Sequence, residues 1–138
     1  MNERQKKAHM LAAYTYADLS YCERKKVGCV IVKDDKIISI GYNGAPSGWD
    51  NGCEDCNNVT KPHIIHAEAN AILKLAKSSG GGKGSTVFVT CAPCLPCALM
   101  LSTMEISEVY YAEEYRGTDG IELLLQHNIP VYQLNPKQ

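Results

Sequence analysis

Residues 86–104 read TVFVTCAPCLPCALMLSTM. Thr86 to Thr90 combine β-branched and aromatic side chains, which predicts a short strand, and CALMLSTM predicts a helix that starts near Cys94. A proline-rich turn bearing Cys94 and Cys97 joins them. A strand feeding a helix suggests a layered α/β domain, and the neighbouring segments extend that pattern in both directions.

On the N-terminal side, IHAEANAILKLAKS (65–78) is rich in helix formers and stops at GGGKG (80–84), which cannot continue a helix. Further back, VGCVIVKDDKIISIGYNG (27–44) gives two β-rich runs, Val27 to Val32 and Ile37 to Tyr42, around a hairpin turn at Lys33-Asp34-Asp35-Lys36. From Glu3 to about Ser20, Ala8, Leu11, Ala12, Tyr16 and Leu19 recur at helical spacing. Beyond the quoted stretch come a strand at EVYYA (108–112), a helix at GIELLLQHN (120–128) and a strand at PVYQL (130–134). The order α-β-β-α-β-α-β-α-β implies a three-layer α/β/α architecture, a five-stranded mixed sheet with helices on both faces. Residues 43–62 are too rich in Gly, Asn, Asp and Pro for an element of their own, and a loop of that length is usually functional or tied down.

At 138 residues the chain suits one domain, here 1–138. Apolar residues make up 45%, charged residues 21%, and the formal net charge is −1, which points to neither a nucleic-acid polymer nor a membrane as partner. The first 21 residues lack the apolar core of a signal peptide, and no run of about 18 apolar residues occurs, so a cytoplasmic protein is expected. Seven cysteines cannot all pair within one molecule. In a reducing compartment, thiols spaced C-x-x-C are better explained by metal, and there are two such pairs, Cys53/Cys56 and Cys94/Cys97.

His66 and Glu68 sit at the start of one predicted helix, Cys94 and Cys97 at the start of the next. In a layered α/β domain both starts lie at the carboxyl edge of the sheet, so the four side chains can converge. One imidazole and two thiolates make three ligands for a tetrahedral Zn2+ with water in the fourth position, the catalytic arrangement. Helix N-termini favour the thiolates. Glu68 is then better placed as a base toward that water than as a fourth ligand. The alternatives are a closed zinc knuckle completed by Cys91, or a core histidine beside inert thiols.

HAE (66–68) followed by PCLPC (93–97) resembles the H-x-E and P-C-x-x-C signature of the zinc-dependent cytosine and adenine deaminases. Within that superfamily, KKVGCVIVKDDKIISIGYNGAPSG (25–48), HAEANAI (66–72) and VYYAEEY (109–115) resemble the deoxycytidylate deaminase branch, over Cys22 to Tyr132. The resemblance implies a cytidine deaminase-like fold and hydrolysis of dCMP to dUMP and ammonia, supplying dUMP for thymidylate synthesis. Glu68 would relay protons between a zinc-activated water, cytosine N3 and the leaving amine. Backbone N–H groups near Ala67 and Cys94 would hold the base edge. Asn43 would contact the deoxyribose 3′-hydroxyl, Tyr115 would stack on the base, and Arg24, Lys25 or Lys26 would meet the phosphate.

It also implies a homo-oligomer, often a hexamer, activated by dCTP and inhibited by dTTP with Mg2+. Tyr42, Gly44, Asn70, Lys74 and Lys77 are the candidate regulatory residues, the last three on one helix face. A second, structural Zn2+ would take Cys22, Cys53, Cys56 and His63, and would hold the long loop still. Ile64 and Ile65 stand where relatives with such a zinc can use a glutamate. Other readings are a deaminase of dCTP or of free cytidine, a tRNA adenosine deaminase, which would need a basic surface, and a zinc-stabilised binding module without turnover.

Overall fold

The computed structural model describes residues 1–78 and 80–137. Nine elements follow the predicted order: α1 (Glu3–Ala17), β1 (Gly28–Lys33), β2 (Lys36–Tyr42), α2 (Ala67–Ala76), β3 (Thr86–Cys91), α3 (Leu95–Thr103), β4 (Glu108–Glu113), α4 (Asp119–Gln126) and β5 (Val131–Gln133). Asn2 opens α1 with a capping box, accepting from the Gln5 N–H while the Gln5 side chain accepts from the Asn2 N–H. Asp34 and Asp35 turn the β1–β2 hairpin at φ of 52° and 61°, the left-handed pair that a two-residue hairpin loop requires.

The sheet has the order β2-β1-β3-β4-β5, with β1 antiparallel to both its neighbours and β3, β4 and β5 parallel. β1 alone therefore runs against the rest, and β2 ends at the same sheet edge as β3. Alternating side chains divide the core in two. Cys29, Ile31, Val87, Val89 and Val109 face α2, α3 and α4, while Val30, Val32, Phe88, Tyr110 and Ala112 face α1. Both faces are covered, so the central strands carry apolar side chains on both faces, as the run VFV (87–89) suggests.

β2 lies at the edge of the sheet, and α2 supplies partners to its outward carbonyls. The Asn70 side-chain amide donates to the Tyr42 carbonyl at 2.8 Å and the Lys74 ammonium to the Ile40 carbonyl at 2.8 Å. These bonds dock α2 on β2, and a missing side chain allows the close approach. A Cβ on Gly41 would stand 2.2 Å from the Ala67 carbonyl oxygen and 2.6 Å from the Ala71 nitrogen. Among the described residues, no helix is long and apolar enough to cross a membrane.

Candidate active site and metal centre

Two helix starts meet at the carboxyl edge of the sheet. His66 is the N-cap of α2 and Cys94 the N-cap of α3, both in extended backbone and neither making a side-chain cap hydrogen bond. N-caps are usually Ser, Thr, Asp or Asn, whose side chains bind the helix's own N–H groups; an imidazole and a thiol here leave those side chains for other partners. Backbone pairing between Gly44 and Ile65, at 3.1 and 2.9 Å, fixes the chain just before His66. On the other side, Gly120 of α4 packs so closely that a Cβ would stand 2.1 Å from the Pro93 carbonyl oxygen.

His66 Nδ1 lies 3.4 Å from Cys94 Sγ and 3.5 Å from Cys97 Sγ. A tetrahedral zinc at about 2.3 Å from sulfur and 2.1 Å from nitrogen spaces those atoms about 3.6 Å apart, so the three side chains fit zinc as they stand. The group of three with ligand atoms within 4.8 Å of one another includes neither Glu68 nor Cys91, which argues against a closed four-ligand knuckle there. The Cys94 thiol is held low, to about 4, by its hydrogen bond with Cys97 and then by His66, while the same bond and burial push the Cys97 thiol up. The imidazole is raised, first by Cys94.

Glu68 is 4% exposed, on the first turn of α2, and burial raises its carboxyl to about 7. A buried carboxyl is costly unless it is paired, hydrogen-bonded or protonated, and such perturbed groups gather at functional sites; this one adjoins the donor cluster.

His66, Ala67, Glu68, Cys91 and Cys94 contribute to the wall of a cavity of about 600 Å³. Asn43, Arg24 and Tyr115, expected at the substrate, also line it, and Lys26 does not. Lys25, Glu54 and Arg116 belong to the lining as well. The motif spacing passed over Glu54, which sits between Cys53 and Cys56, and Arg116, which follows Tyr115, because nothing local shows that either reaches this cavity. Asn43 accepts from the Val27 N–H at 2.9 Å and donates to the Lys25 carbonyl at 2.8 Å, so its amide also shapes the 25–27 backbone. One N–H and one lone pair remain for a ligand.

The expected second zinc set does not assemble as four ligands. Cys22 and Cys53 are joined in a disulfide with Cα atoms 5.0 Å apart, and Glu54 is the third group beside them. Cys56 is an exposed free thiol, in a turn where Asp55 accepts from the Asn57 and Val59 N–H groups. The His63 ring packs against Trp49 at 4.8 Å. The local turn and the aromatic contact thus direct Cys56 and His63 elsewhere. Of the candidate regulatory residues, Asn70 and Lys74 are engaged by β2, the Lys74 ammonium also lies 5.7 Å from the Tyr42 ring centre, Gly44 pairs with Ile65, and Lys77 is the exposed C-cap of α2.

Residues 3–113 match the family described as the cytidine and deoxycytidylate deaminase zinc-binding region. The chain is 36% identical over 113 residues to deoxycytidylate deaminase of Mycobacterium phage D29, covering 71% of this chain and 86% of that one. It is 33% identical over 136 residues to the Saccharomyces cerevisiae deoxycytidylate deaminase, covering 91% of this chain but only 43% of the yeast protein. The fold matches a crystal structure of dCMP deaminase from cyanophage S-TIM5 in complex with dCMP and dUMP, with a TM-score of 0.95, 41% identity and coverage of 97% of this chain and 99% of that one. With the histidine and both cysteines of the signature gathered at one sheet edge, the chain belongs to the cytidine and deoxycytidylate deaminase zinc-binding family.

Proposed function

We propose that this chain is a zinc-dependent hydrolase that converts dCMP and water to dUMP and ammonia. The observation that carries the reading is the buried Glu68 beside an imidazole and two thiols at tetrahedral spacing, in the wall of a cavity that also presents cations. His66, Cys94 and Cys97 would hold the zinc, whose chemistry is to bring the pKa of a bound water down to about 7.

Glu68 supplies the proton traffic. Its carboxylate takes a proton from the attacking water and gives it to cytosine N3, and a second proton passes through it to the C4 amine, which leaves as ammonia. Desolvation in the cavity wall keeps that carboxyl from being tied up by bulk water. The Ala67 N–H, at the first position of α2 where no helical carbonyl can reach it, is offered to the base edge. Asn43 turns its remaining N–H toward the sugar, and the half-exposed Tyr115 ring is available to stack on the base. Regulation by dCTP and dTTP with Mg2+ and a homo-hexamer are finer proposals supported by the resemblance of GYNG (41–44) to the deoxycytidylate branch.

The test is Glu68→Gln. Ammonia release from dCMP should fall by roughly 10²- to 10⁴-fold with about one zinc per chain retained. Loss of the metal together with activity would make Glu68 a ligand, and unchanged turnover would remove it from the chemistry.

A further inference from the structure

Glu113 ends β4 and is not part of the cavity wall, whereas the three residues after it, Glu114, Tyr115 and Arg116, are. Three segments meet on this one residue. Its carbonyl accepts the Ala92 N–H at 2.8 Å, in the turn that leads from β3 to Cys94. Its carboxylate accepts from the Tyr14 hydroxyl of α1 through Oε2 at 2.5 Å and from the Lys25 ammonium through Oε1 at 3.0 Å. The Lys25 carbonyl in turn accepts from the Asn43 side-chain amide at 2.8 Å, and the oxygen of that amide accepts the Val27 N–H at 2.9 Å. A continuous strap therefore runs from the metal-side turn through Glu113 and Lys25 to Asn43 in the cavity wall.

Lys25 and Glu113 are both half-exposed, and an exposed ion pair by itself contributes little to stability. This one is held more tightly than most, because the Tyr14 hydroxyl occupies the second carboxylate oxygen and fixes its orientation. The Asn43 amide takes its direction from the 25–27 backbone, so a shift of Lys25 turns the N–H that Asn43 offers to a ligand. A hydrogen bond of about 2.9 Å that lengthens by about 0.7 Å has ceased to be one. We infer that Glu113 is a positioning residue for the reaction: it holds Lys25, and through Lys25 the Asn43 amide, in register with the turn that carries the metal-binding cysteines. The inference rests on the reading of Asn43 as the contact to the 3′-hydroxyl of a bound cytosine deoxynucleotide. It makes recognition of the sugar depend on a carboxylate that does not touch the substrate.

The test uses the zinc-loaded full chain with Glu113→Gln and Lys25→Met, which cut the strap from either end. Lys83→Gln, which removes the exposed ion pair with Glu105, is the control. The readout is the ratio of kcat/KM for dCMP to that for its 3′-deoxy analogue, 2′,3′-dideoxycytidine 5′-monophosphate. Both substrates carry the phosphate, so any direct contact of Lys25 with it cancels. The wild-type ratio should be roughly 3- to 10-fold, the size of one hydrogen bond to the 3′-hydroxyl. Glu113→Gln and Lys25→Met should each bring it to within about twofold of unity, with about one zinc per chain retained and kcat for the analogue within about threefold of wild type. Lys83→Gln should keep the wild-type ratio. A wild-type ratio in the Glu113→Gln protein would overturn the inference, and so would an equal collapse in Lys83→Gln, which would mean general loosening. A ratio near one in the wild-type chain would remove the Asn43 contact and the positioning role together while leaving the deaminase standing. Absence of ammonia from every cytosine compound would remove the deaminase instead; the binding ratio of dUMP to its 3′-deoxy analogue, read by titration calorimetry in the same variants, would then decide the positioning role by itself.

Discussion

Substituting Gly41 by alanine should damage the metal centre from beneath. The new Cβ would stand 2.2 Å from the Ala67 carbonyl oxygen and 2.6 Å from the Ala71 nitrogen, both backbone atoms of α2 that no side-chain rotation can move aside. A close carbon-to-oxygen contact is about 3.3 Å, so the first turn of α2 must retreat by about 1 Å. His66 is the residue immediately before that turn, and zinc sites tolerate ligand displacements of about 0.2 Å. Forcing the helix off its strand costs about 1–3 kcal/mol, as overpacked cores do, and also strains the Asn70 and Lys74 bonds to β2. For 138 residues, 1 kcal/mol corresponds to about 3–4 °C, so Tm should fall by about 3–12 °C. Zinc affinity, read by competition against a chelator, should fall at least about tenfold. Gly44→Ala is the matched control, because a Cβ there meets nothing within 4 Å. A Gly41→Ala protein with wild-type Tm would refute the steric reasoning, and a lowered Tm with unchanged zinc affinity would show that the shift of α2 does not reach His66.

Two more outcomes follow from side-chain chemistry. The Tyr14 hydroxyl is the main reason that Glu113 stays below the usual carboxylate range. A depressed carboxyl stabilises the fold above its unfolded pKa and loses that contribution as pH falls through its folded one. Tyr14→Phe should therefore cost about 1 kcal/mol at pH 7, and its Tm deficit should shrink in acid; a deficit that stays constant with pH would mean that the lost contact is packing alone. For the cysteines, thiol titration of the unfolded, unreduced chain should find five free thiols of seven, matching the Cys22–Cys53 disulfide, with one zinc per chain. Seven thiols and two zincs would instead restore the metal site in the long loop.

The sequence determined the element order and the donor set. The apolar, β-branched runs of β1 and β3, the Asp34-Asp35 turn and the glycine stop after α2 are local signals, set by side-chain shape and backbone sterics. The H-x-E and P-C-x-x-C spacings were equally readable, since helix geometry places His66 and Glu68 on one first turn and Cys94 and Cys97 on another. Tertiary structure decided where side chains with several possible partners would go. Asn70 and Lys74 read as a cationic helix face, but β2 turned out to be an edge strand with carbonyls to satisfy, and the two side chains reach them. Cys56 and His63 fitted a four-ligand spacing, yet the Asp55 turn and Trp49 hold them apart from Cys22 and Cys53. Lys26 looked equivalent to its neighbours Arg24 and Lys25, and only the path of the loop before β1 put the first two on the cavity wall and the third outside it. Arg116 follows Tyr115 and Glu54 sits between Cys53 and Cys56, but neither position alone shows that its side chain reaches the cavity. Their roles arise from contacts across long sequence separations, which depend on loop paths and glycine-permitted close packing that no short window of residues encodes.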